Sequence, residues 1–131
     1  MFLDMLKNSN EKESFMDLAY WVATADGSLG LPEIKMLDIF SQETGVENWR
    51  QRGESKGVPQ ACTAFSDELS RKIVYSNLLA LGCTEEFENN SQVKAIDQVR
   101  AQFSISQEVA QNYRQWMGIV KGKCLPGYYW D

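Results

Sequence analysis

The sequence predicts an all-α fold, a compact single-domain helical bundle of about six or seven helices. Three observations predict it. Apolar residues recur at helical spacing along most of the chain, stop signals fall at helix-length intervals, and no segment keeps a period-2 alternation. A length of 131 residues suits one domain. A chain of this size buries roughly two-thirds of its unfolded surface and needs no disulfide or metal to fold.

The first helix carries Phe15, Leu18, Ala19, Val22 and Ala23 on one face. Asn10, with Glu13 three residues on, marks its start as a capping box, and Asp26-Gly27 its stop. A second helix runs from about Leu31 to Thr44 with Ile34, Leu37 and Phe40 inward. Pro32 sits in its first turn, and Gly45 ends it. Residues 47–60 read as a polar, breaker-rich linker, with a short helical piece around Trp49. A third main helix, about Asp67 to Leu81, takes Ser66 as N-cap. Its Leu69, Ile73, Val74, Leu78, Leu79 and Leu81 cover more than one face, as in a central helix. A fourth runs from about Asn90 to Phe103 with Val93, Ile96, Val99 and Phe103 inward. The last, about Ser106 to Lys121, aligns Val109, Tyr113, Trp116, Met117 and Val120. The single domain, 1–131, thus divides into a first hairpin (about 11–45), the linker, a second hairpin with the last helix (about 66–121) and an aromatic tail (122–131).

The two hairpins match at an offset of 59 residues. Val22 falls on Leu81, Ile34 on Val93, Leu37 on Ile96, Phe40 on Val99 and Val46 on Ile105. Polar positions correspond as well: Asp26 with Glu85 and Glu33 with Gln92. Gly30 and Glu33 share the N-cap to N3 spacing of Asn89 and Gln92.

Composition removes several mechanisms. With no histidine, Ser-His-Asp and Cys-His nucleophile pairs and imidazole zinc sites are excluded. A net charge of −5 and a pI near 4.8 argue against nucleic-acid binding, which needs clustered Lys and Arg. No stretch approaches the roughly 18 to 20 apolar residues of a membrane span. The opening Met-Phe-Leu-Asp-Met-Leu-Lys is not a signal peptide. Cys62, Cys83 and Cys124 form no CxxC pair and read as free thiols of a reducing cytoplasm. Without a nucleotide loop or an activated nucleophile, a non-enzymatic role is expected.

Residues 15–35, FMDLAYWVATADGSLGLPEIK, resemble the TerB-like family of tellurite-resistance-associated proteins. The resemblance rests on a small-residue helix ending in Ala25-Asp26-Gly27, then Leu29, then Glu33 opening the next helix. It extends more loosely over residues 67–121. It implies a cytoplasmic, all-helical module linked to stress responses, with a divalent-metal site of acidic residues at the inter-helix turns. The family's second turn often carries another Asp-Gly, where this chain has Gly82-Cys83-Thr84-Glu85-Glu86. Asp26, Glu33 and Glu85 are therefore the candidate metal ligands, and their oxygens suit Ca²⁺, Mg²⁺ or Mn²⁺. The same residues also have structural readings: Asp26-Gly27 as a tight turn, Glu33 as an N3 residue favoured by its helix dipole. The turn lacks EF-hand ligand spacing. Tyr128, Tyr129 and Trp130, after a Pro-Gly break, are read either as docked on the helices or as a contact for a protein partner or a second copy. The competing functional reading is a metal-free scaffolding or dimerisation domain.

Overall fold

The computed structural model describes residues 2–27, 29–47, 49, 58–82 and 90–123, with only the backbone at residues 90 and 117–123. A 3-10 turn, Leu3–Met5, precedes α1 (Ser9–Ala23), α2 (Leu31–Thr44), α3 (Val58–Cys62), α4 (Glu68–Gly82), α5 (Asn90–Gln102) and α6 (Gln107–Lys123). The described residues contain no strand. The all-α bundle is as the periodicity predicts.

The helices follow the 59-residue offset, with α5 ending one residue short of the position equivalent to the end of α2. Adding 59 to Ser9–Ala23 gives Glu68–Gly82, the bounds of α4, and Leu31 maps onto Asn90, the first residue of α5. The caps correspond too. The Glu11 backbone N–H donates to Asn8 Oδ1 at 2.9 Å, and that of Ser70 to Asp67 Oδ1 at 2.7 Å. Asn8 and Asp67 are therefore the N-caps, rather than Asn10 and Ser66. Glu11 also accepts from the N–H of Lys7, the residue before the cap, at 2.8 Å. The caps lie one or two residues from the expected positions because several polar residues there compete, and tertiary contacts choose among them.

The far ends also match. Gly45 caps α2 in the left-handed region (φ 78°), and its counterpart Ser104 after α5 has φ 58°. Ser41 and its counterpart Arg100 donate side-chain hydrogen bonds to the equivalent carbonyls of Val46 and Ile105. Before each hairpin, Leu6 N–H donates to Leu3 O and Phe65 N–H to Cys62 O. The repeat therefore begins at the leading turn, upstream of the expected hairpin.

α1 and α4 pack side by side as the central pair. Each is flanked by the second helix of its own hairpin. The leading turns cross over: Leu3–Met5 packs on α2 and α4, and α3 packs on α5 and α1. Each half thus closes the other's core. α3 also shortens the expected linker, since Pro59 near its start forfeits no hydrogen bond. Phe15, Leu18, Val22, Leu37 and Phe40 from the first half meet Phe65, Val74, Leu78, Leu81 and Val99 from the second. Phe15 and Phe40 stack edge-on at 5.1 Å between centroids. Each such fully buried side chain contributes about 1.5–3 kcal/mol.

Some expected core positions shift. Ile34 and Val93 are half-buried, while Met36 and Ala95 lie inside. Leu69 is 56 % exposed, and Val109 and Trp116 are exposed on α6. α6 packs on α4, and these two side chains lie on its exposed side.

Two outcomes follow from the caps. Gly45→Ala, with nothing within 4 Å of the new Cβ, should cost about 1 kcal/mol of unfolding free energy from its left-handed φ alone, and Ser104→Gly should not destabilise; urea melts of the two variants check this. The Lys7 ammonium and then the Ser70 N–H hold the Asp67 carboxyl down at about 2. A carboxyl held below its unfolded value of about 3.9 adds stability above that value and loses it as pH falls through about 2. Asp67→Asn, which keeps a capping oxygen, should flatten the acid limb of a pH-dependent melt between those values.

Candidate functional site

Two contacts join residues that are equivalent in the two halves. At the N-termini of α1 and α4, Ser70 Oγ donates to Glu11 Oε1 at 3.4 Å. At the N-termini of α2 and α5, Gln92 Nε2 donates to Glu33 Oε1 at 3.2 Å. Each partner stands at N3 of its helix and 59 residues from the other. Equivalent side chains that meet tip to tip lie on a pseudo-twofold axis. Two such pairs fix its course between α1 and α4, from their N-termini to Ala23 at the end of α1, whose carbonyl also accepts from Gln92 Nε2 at 3.4 Å.

The second pair is the candidate site. Glu33 is 2 % exposed and Gln92 1 %. Glu33 reaches this depth because Gly30 and Pro32 start α2 so that N3 faces the centre. Its Oε1 has the Gln92 amide, but Oε2 has no hydrogen-bond partner. A buried carboxylate oxygen without a donor costs free energy on the order of 1–3 kcal/mol, more when charged. A donor from a ligand, or a cation, at that oxygen would relieve the cost.

Asp26 lies on the exposed turn after α1, where Gly27 takes φ 84° and its N–H donates to Thr24 O at 2.9 Å. This is the turn geometry expected of Asp26-Gly27. Glu85, the third candidate ligand, lies outside the described residues, as do Tyr128, Tyr129 and Trp130. Among the described residues, no three Asp, Glu or Cys side chains gather as a metal-binding group.

Cys62 is a free, buried thiol, and burial pushes its pKa up to about 11 against the opposing charge of Arg71. It is protonated at neutral pH, hence a poor nucleophile and metal ligand. The repeat pairs Glu33 with Gln92 in sequence, and their contact is a finding of the fold. The signal was present: matching N3 positions in two packed hairpins.

Alkylation at pH 8, mapped by peptide mass, should modify Cys62 in the native chain at least about tenfold more slowly than in guanidinium. Glu33→Gln should leave the melting temperature in metal-free buffer unchanged or raised, because it removes a buried charge with an unpartnered oxygen. No family model, curated protein or solved structure matches this chain.

Proposed function

We propose that this chain is a TerB-like helical module of a cytoplasmic stress response, acting through protein interaction and regulated by a hard divalent cation bound at Glu33 and the acidic turns. One observation carries the cation: Glu33 is almost fully buried, and its Oε2 has no partner. A carboxylate oxygen of this kind suits Ca²⁺, Mg²⁺ or Mn²⁺ better than a thiophilic metal. Asp26, on the adjoining inter-helix turn, and Glu85 supply the remaining carboxylates in this reading. The cation would neutralise the Glu33 charge and tie the turn to the start of α2. The module is read as non-enzymatic, because Cys62 is the described thiol and it is held protonated.

The second reading, a metal-free scaffolding or dimerising domain, is favoured by the large apolar side chains left exposed at Phe2, Leu69 and Trp116.

Calorimetry and thermal melts with Ca²⁺, Mg²⁺ and Mn²⁺ test the first reading. Saturable heat is expected from at least one ion, with a stabilisation of about 2.7 kcal/mol at a hundredfold excess over Kd. Glu33→Gln and Asp26→Ala should each abolish it. Absence of heat and of a thermal shift at millimolar ion leaves the scaffolding reading.

A further inference from the structure

The repeat carries a pair of grooves, one in each half. The first is a hollow of about 320 Å³ lined by Ser9, Lys12, Glu13, Thr44, Gly45, Val46 and Glu47. Adding 59 to each of these gives Glu68, Arg71, Lys72, Phe103, Ser104, Ile105 and Ser106, and every one lines a second groove of about 560 Å³. The two are therefore the same topological feature, set between the start of the first helix and the end of the second helix of each hairpin. Their chemistry has diverged. In the first groove Lys12 faces two acids, Glu13 and Glu47. In the second, Arg71 and Lys72 face one acid, Glu68, which is exposed and paired with Lys72 at 3.0 Å. An acidic chain thus turns one of two equivalent hollows cationic.

The second groove is also built for an apolar body. Phe103 forms its floor, stacked edge-on against Phe65 at 5.8 Å between centroids. Val109 and Tyr113 of α6 wall it on one side. Arg71 is fixed in place: its Nε donates to Phe65 O at 2.8 Å, and its guanidinium sits over the Phe103 ring at 5.9 Å. No described residue bonds its terminal Nη groups, which leaves their donors for an acceptor from outside. Ser104 and Ser106 add hydroxyls at the rim. A hollow of a few hundred Å³ with an apolar floor and a few convergent polar groups is the ordinary form of a small-molecule site.

We infer that the groove between α4, the α5–α6 turn and α6 binds a small organic anion, a carboxylate or phosphate monoester on an aromatic or aliphatic body. The anion takes Arg71 and Lys72, and the body lies on Phe103 against Val109 and Tyr113. This site is separate from Glu33 and does not depend on the cation reading.

Phenyl phosphate is the probe, titrated into the ¹⁵N-labelled chain and followed by amide shifts. Saturable shifts are expected at residues 71–72 and 104–109 and none at residues 12–13 and 45–47. Phenol and inorganic phosphate, titrated separately, should each bind at least about tenfold more weakly, because each makes only half of the contacts. Lys72→Gln should weaken phenyl phosphate about tenfold, and Lys12→Gln in the first groove should leave it unchanged. The absence of saturable shifts at millimolar probe, equal shifts in both grooves, or full affinity in Lys72→Gln overturns the proposal. Arg71→Gln is the second variant, read only if its spectrum is native-like, and undiminished affinity there overturns it as well.

Discussion

The fold depends on a pseudo-twofold axis that passes through polar rather than apolar contacts. Glu11 meets Ser70 at one end and Glu33 meets Gln92 at the other. All four are buried. A buried carboxylate needs donors, and here each carboxylate receives one from its own counterpart in the other half. Sliding the α1–α2 hairpin along the α4–α5 hairpin by one turn would part both pairs, at a cost of about 1–3 kcal/mol for each buried group left without its partner. The apolar residues between them, from Ala19 to Tyr75 in size, attract without direction and specify register less sharply than a hydrogen-bonded pair does. The polar pairs therefore fix the register, and the apolar layer supplies most of the stabilisation.

The crossover of the leading turns follows from the same axis. Leu3 of the first turn is fully buried where that turn bridges α2 of its own half and α4 of the other, and buried Cys62 lies on α3, which bridges α5 and α1. Neither hairpin has a closed core by itself. A mutation in the 3-10 turn is thus felt in α4, and one in α3 is felt in α1. Removing either lid opens the other half's core.

Symmetry of the backbone has not kept symmetry of the surface. Gly45 and Ser104 hold the same left-handed cap, yet one is backbone alone and the other adds a hydroxyl at a groove rim. Thr44 and Phe103 occupy one position and give one groove a hydroxyl wall and the other an aromatic floor. α6 adds Val109 and Tyr113 to the second groove. Backbone capping and core packing constrain few of these side chains, so their chemistry is set independently in each copy.

The helices, the stops at Gly27 and Gly45 and the 59-residue offset were all legible in the sequence. These are local or periodic properties: apolar spacing, turn chemistry and propensity act within a few residues. The sequence marked Glu33 and Gln92 as equivalent N3 residues, and Asp26 as a turn residue. It did not reveal that Glu33 is buried with an unpartnered oxygen, that Asn8 and Asp67 cap in place of Asn10 and Ser66, or that α3 occupies the end of the linker. Nor did it reveal that Val109 and Trp116 stay exposed. Those features follow from which helix lies against which, and a helical period has the same appearance whether or not another helix covers it. They belong to the packed fold, because burial and contact depend on residues far away in the chain, and no local pattern encodes that distance.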